Sequence, residues 1–384
     1  MSYKMLYILN VAKRVNNFSF ASIKAAKELG IEYSIAGNWS YETDEDRAED
    51  EKKYGIKIYQ IDFYRFPAHP GNIKALNQLN KIIKKEKFDL IHCNTPIGGL
   101  AGRVLGKKEG TRVIYQAHGF HFYDGAPMVN WLLYYPFERI MAHRTDALIT
   151  INHEDYERGN HFHLRGNGKV FFVPGVGINL DEYKMYSEKT NCVRKELNIP
   201  ENHFAISVIG ELNKNKNVAV LIKALARLKD KRVHMIICGS GKEEVELKRI
   251  VSDKKVIDQV HFVGFRTDIK QILLESDLFA MASFREGLSR SIMEAMAMGK
   301  PCVVSSIRGN NDLIINECGG YLCKPNDIGE YAKAINQLID NPIICKKMGD
   351  FNINRIKNYS VIKVVSDLRD IYNTEINALL ETGK

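Results

Sequence analysis

Short runs of β-branched and aromatic residues alternate with segments of helical periodicity along nearly the whole chain. No other feature constrains the fold as much, because parallel strands cannot be joined by tight turns and need crossover helices between them. The predicted class is therefore α/β, with mainly parallel sheets covered by helices. Strands are expected at Lys4 to Leu9, Glu32 to Ala36, Ile56 to Ile61, Leu90 to Cys93, Arg112 to Ala117, Ala147 to Ile151 and Val170 to Val173. A second series is expected at Ala205 to Ile209, His234 to Cys238, Val260 to Val263, Asp277 to Ala282 and Pro301 to Ser305. Turn-rich residues 176 to 200 separate the two series, and a length of 384 residues exceeds the roughly 100 to 200 that one core supports. Two domains are predicted, residues 1–185 and 186–360, followed by a last helix from Val361 to Leu379.

Open α/β sheets bind ligands beyond the carboxyl ends of their strands. Those ends carry Gly210, Gly239 and Gly264 in the second series. Glycine lets a ligand approach the main chain and presents amide donors, above all where a helix then begins. A nucleotide or phosphate site is expected there. Hydride chemistry is disfavoured: Asn10 to Phe18, after the first strand, holds no glycine, and Gly239-Ser-Gly241 lacks the third glycine of a dinucleotide fingerprint. Lys and Arg number 55 against 46 Asp and Glu, and the net charge of +9 favours anionic partners. No nucleic-acid recognition motif accompanies that charge, so nucleic acid is not an expected partner.

The stretch from Ser283 to Pro301 reads as a strand end followed by a helix that stops at Gly299-Lys-Pro. It carries Glu286 and Glu294. Eight helical positions would separate them by about 12 Å, beyond the ~5 to 9.5 Å of the carboxylate pairs that hydrolyse glycosides. The spacing suits two acceptors gripping separate hydroxyl sets of one extended ligand, with helix N-terminal amides facing an anion between them.

At this point the chain resembles glycosyltransferase family 4, retaining enzymes of the GT-B fold marked by Glu-x7-Glu in this strand-to-helix setting. Gly210-Glu-Leu-Asn-Lys-Asn-Lys216 is similar to the family's donor-phosphate loop, with Glu211 where an arginine is usual. Cys238-Gly239-Ser-Gly241 and Phe262-Val-Gly264-Phe-Arg266 are similar to its next two loops. In the first half, Tyr115-Gln-Ala-His118-Gly-Phe-His121-Phe-Tyr123 followed by Asn130-Trp131 and Tyr134-Tyr135-Pro136 resembles bacterial capsular and exopolysaccharide transferases. No Gly-Gly loop follows the first strand, so contacts around Lys13 to Asn17 are not carried over.

The resemblance implies two Rossmann-like domains facing a cleft, with the last helix packing back on the first. It implies transfer of a sugar from a nucleoside diphosphate donor, UDP-linked, to a lipid-linked saccharide. His118 and Glu286 would act on the transferred sugar. Gly210, Lys216, Gly239, Arg266, Leu288, Ser289, Arg290 and Glu294 would bind donor, with Arg266 or Arg290 replacing the charge lost at Glu211. Two other readings share these motifs: a non-catalytic sugar-nucleotide-binding partner of another transferase, and a nucleotide-sugar epimerase.

No metal or other cofactor is expected. Asp44-Glu45-Asp46 lies within an acidic run, Glu42 to Glu51, that reads as a solvated face, and no His/Cys cluster shows zinc spacing. Seven cysteines stand singly without a Cys-x-x-Cys pair, as reduced thiols do. The opening residues are too quickly polar for a signal peptide, and no apolar run approaches the ~20 residues of a spanning helix. A cytoplasmic protein is expected, peripheral to the anionic inner membrane face. Asn72 to Lys87, basic and amphipathic, and Pro127 to His143, apolar nearly all round, are the candidate contact segments.

Overall fold

The computed structural model describes residues 2–15, 17–184 and 191–381. The chain divides into two compact units, Met1–Gly177 with Val361–Lys384, and Ile178–Ser360. The boundary expected between residues 185 and 186 lies outside the described residues.

The first unit holds β1 (Lys4–Val11), β2 (Glu32–Asn38), β3 (Lys57–Gln60), β4 (Leu90–Asn94), β5 (Arg112–Ala117), β6 (Ala147–Thr150) and β7 (Lys169–Phe172). They form one sheet in the order β3-β2-β1-β4-β5-β6-β7, with every neighbouring pair parallel. All of β4 is buried, as expected of a central strand covered by helices on both faces. The helix Pro96–Glu109 packs closely because glycines face the sheet: a Cβ on Gly102 would stand 2.6 Å from Cys93 Cβ, and one on Gly99 2.5 Å from the Tyr115 ring.

The helix Val361–Glu381 belongs to this unit and buries Val364, Leu368, Ile371, Tyr372, Ile376 and Leu379 in its core. Its polar anchors are specific. The Tyr372 hydroxyl bonds Ser22 Oγ at 2.6 Å and His92 Nδ1 at 2.7 Å, and Arg112 donates to Glu375 at 2.7 Å. The acidic run departs from a wholly solvated face. It forms the helix Asp44–Tyr54, started by a capping box with Thr43, but Asp50 is buried and accepts from the Val15 amide at 2.7 Å and from Arg14 at 3.0 Å. An acidic side chain there holds the segment after β1 in place.

The second unit holds β8 (Phe204–Ile209), β9 (Val233–Cys238), β10 (Val260–Gly264), β11 (Leu278–Met281), β12 (Cys302–Ser305) and β13 (Gly320–Cys323). Its sheet runs β10-β9-β8-β11-β12-β13, also parallel throughout. The order reverses between β8 and β11, the kind of switch point beyond whose strand ends open α/β sheets bind ligands. The strand β13 is absent from the sequence expectation. It is a four-residue edge strand that begins with glycine, too short for alternation to show, and pairing with β12 supplies what periodicity does not.

All seven cysteines are free. Among the described residues no group of three or more His, Cys, Asp or Glu could hold a metal ion, and no helix is long and apolar enough to cross a membrane.

Candidate functional site

Three loops at the strand ends of the second unit are joined through their main chains. The Gly210 amide donates to Cys238 O at 3.0 Å, Gly239 to Gly264 O at 2.7 Å, and Leu212 to Ser240 O at 3.0 Å. Gly239 has φ +144°, and a Cβ on it would fall 1.9 Å from the Gly210 carbonyl oxygen. Its nearest demand is therefore the approach of a neighbouring loop rather than of a ligand. Gly309, at φ +78°, is required in the same way: a Cβ would stand 2.3 Å from Gly287 O, which fixes the turn that carries Glu286.

Lys216 and Glu286 meet directly. Asn213 caps the short helical turn Lys214–Lys216 by accepting from the Lys216 amide at 3.1 Å. This turn is tied to the loop after β11, where the Phe284 amide donates to Asn215 O at 2.8 Å and Asn215 Nδ2 to Arg285 O at 3.0 Å. The result is an ion pair of 2.7 Å between Lys216 Nζ and Glu286 Oε1, with the two side chains 21% and 15% exposed. Glu211 is exposed. Solvent screens its carboxylate there, which weakens the repulsion it would exert on an anion.

Glu286 lies in the loop, not on the helix, which runs Arg290–Ala297 and carries only Glu294 of the pair. Leu288 packs against the apolar cluster of Ile292 and Met293. Ser289 is the residue before the helix, yet its hydroxyl turns to Met281 Sδ and to Ser291 Oγ, at 3.1 Å, instead of capping the first turn. Ser289 therefore makes no side-chain capping bond to the first turn. Glu294 accepts from Arg290 Nε at 2.9 Å, and Tyr183, pushed up by burial and then by the Glu294 charge, lies against the same carboxylate.

Arg266 does not fill the place proposed for it as a replacement cation. Its guanidinium donates to Asp268 at 2.8 and 2.7 Å and to Glu196 at 2.6 and 3.0 Å, so two carboxylates already offset its charge. Arg290 remains. Asp312 caps a turn at the Gly309 amide, and its carbonyl accepts from Arg355 Nη2 at 2.6 Å, which gives it a packing role. Two residues missed in the sequence sit at this site: buried Arg308, whose Nε donates to Glu286 O at 3.3 Å, and Asn213. Only the loop spacing after β8 hinted at Asn213.

In the first unit His118 follows β5 directly. Its Nε2–H donates to Asn94 Oδ1 at 2.9 Å, which leaves Nδ1 as the acceptor. Burial pushes the imidazole down to about 4, so it is neutral at pH 7. Phe18 meets its ring edge-on at 5.2 Å. Asn94, at the end of β4, was missed because only the sheet order brings these strand ends together. His121 stacks on Tyr134 at 4.6 Å, a packing contact. Of the segment Lys13 to Asn17, Asn16 lies outside the described residues.

Sequence and fold comparisons identify the family and the fold. The model of glycosyl transferases group 1 matches residues 190–355, and that of the glycosyl transferase 4-like domain matches residues 22–168. EpsD of Bacillus subtilis, named as a glycosyltransferase, is 32% identical over 97% of this chain and 97% of its own. An Escherichia coli relative, UDP-Gal:alpha-D-GlcNAc-diphosphoundecaprenol alpha-1,3-galactosyltransferase, is 28% identical over 78% of this chain and 79% of its own. The crystal structure of HepE from Anabaena in complex with UDP and glucose superimposes with a TM-score of 0.76 at 19% identity, over 97% of this chain and 100% of that one. This chain belongs to glycosyltransferase family 4 and has the GT-B fold. It is a glycosyltransferase.

Proposed function

We propose that this glycosyltransferase moves a sugar from a UDP-linked donor to a lipid-linked saccharide in bacterial polysaccharide biosynthesis, with retention at the anomeric carbon. The observation that carries the reading is the Lys216–Glu286 pair, held by the loops after β8 and β11 just before the helix Arg290–Ala297. An arriving diphosphate competes with Glu286 for Lys216 and takes up the amides from Leu288 to Ser291. Glu286 is thereby released to accept from hydroxyls of the donor sugar. Glu294 holds ribose hydroxyls, and neutral His118 serves the transferred sugar as a hydrogen-bonding group. The fixed positive groups stabilise the departing diphosphate electrostatically, so this reading requires no metal. The acceptor class is supported by the relative whose name specifies a diphosphoundecaprenol-linked acceptor. With such an acceptor, peripheral contact with the anionic inner membrane face follows.

Radiolabelled UDP-sugars mixed with the protein and membrane lipid extract test the proposal. Labelled glycolipid should form with the wild type and be lost in Glu294→Ala and Lys216→Ala. Unchanged turnover in both variants would remove these assignments.

A further inference from the structure

A cavity of about 770 Å³ opens in the first unit between residues 67–76, the start of the helix Pro96–Glu109 and the helix Met128–Ala142. Ile97, Ala101, Tyr115, Phe120 and Phe122 form buried parts of its wall, and exposed Ile73 and Leu133 belong to its rim. The wall is mostly apolar by area, and its polar side chains include His69, Asn72, Thr95, His118, His121 and Glu138, the last bound to buried Arg103 at 2.6 Å.

The helix Met128–Ala142 makes this cavity unusual. Of its fifteen residues only Met141 and Ala142 are buried. Met128, Leu132, Leu133 and Ile140 keep 72, 69, 63 and 62% of their surface exposed. A contiguous apolar face of this kind marks a surface that meets something apolar. Beside it, the helix Gly71–Glu86 exposes Lys74, Lys81, Lys84 and Lys85, which complement anionic lipid headgroups.

We infer that the cavity receives the isoprenoid chain of the acceptor, with the exposed helix face lying in the lipid from which that chain is drawn. This rests on the lipid-linked acceptor proposed above and adds where the lipid sits. The wall chemistry selects the occupant. A peptide would bring backbone amides that an apolar wall leaves unpaired, whereas a hydrocarbon chain carries none. Continuity matters as well, since Leu133 belongs both to the rim and to the exposed face, so a chain can pass between them without crossing water.

The test uses the full chain in detergent micelles with a diazirine-tailed farnesyl phosphate, irradiated and mapped by peptide mass spectrometry. Label is expected within residues 67–76, 96–101 and 118–138, displaced by unlabelled farnesyl phosphate and not by palmitate. Leu100→Trp, which fills the cavity, should cut labelling roughly tenfold, the scale on which apolar pockets discriminate size. UDP should still raise the melting temperature of that variant, which shows that it is folded. Label elsewhere, equal label in folded Leu100→Trp, or equal competition by palmitate would overturn the inference. So would a dimer in sedimentation that Leu133→Glu dissociates without loss of label. The acceptor reading fails separately: transfer to a free saccharide and none to a polyprenyl-linked one would defeat it even with the cavity labelled.

Discussion

Replacing Glu286 by glutamine should tighten UDP binding while it slows transfer. Lys216 Nζ lies 2.7 Å from Glu286 Oε1, and both side chains are mostly withdrawn from solvent. A diphosphate must break that pair before it can use the lysine. Glutamine keeps the shape and removes both the competing charge and a like charge beside the phosphates. A partly shielded pair of this kind is worth about 1 kcal/mol, so UDP affinity should rise about fivefold. Turnover should fall roughly 100-fold or more, because the lost carboxylate is the group assigned to the donor sugar as the bond breaks. Calorimetric titration with UDP at fixed salt, alongside a transfer assay, reads the two effects independently. Weaker or unchanged UDP binding in Glu286→Gln would refute competition for Lys216, and with it the switch of partners on which the proposed mechanism depends.

The complementary variant, Lys216→Met, should weaken UDP by about 10- to 100-fold, the loss of a charge-assisted contact of ~1.5 to 3 kcal/mol, in the same titration. Gly239→Ala forces a Cβ into the Gly210 carbonyl at positive φ and should cost about 3 kcal/mol in urea unfolding. Burial holds His92 at about 3 and His118 at about 4, below the ordinary value of 6.5, so the unfolded chain binds more protons as pH drops. Stability is thus whole above pH 6.5 and falls below it; His92 alone should remove roughly 2 kcal/mol between pH 7 and 5. Urea melts at the two pH values that coincide would contradict this. Deleting residues 361–384 strips Val364, Leu368, Ile371, Tyr372, Ile376 and Leu379 from the first core, at about 1.5 to 3 kcal/mol each. The shortened chain should aggregate on expression, and a soluble monomer would count against the role given to that helix.

What the sequence determined by itself is local. Each strand of the two predicted series is present, because strand and helix periods are set by backbone geometry over a few residues and need no distant partner. The glycine loop at Gly210 to Lys216 and the Glu286–Glu294 spacing were legible for the same reason, as short patterns at strand ends. Tertiary structure alone decided how charges pair. Lys216 meets Glu286 across seventy positions and Arg266 meets Glu196 at the same separation, pairings that no local pattern announces. Likewise the Gly210 carbonyl, not a ligand, makes glycine necessary at 239, and Asn94 sets the tautomer of His118. Electrostatics and packing depend on distances between residues remote in the chain, and those distances exist only once the sheets have formed.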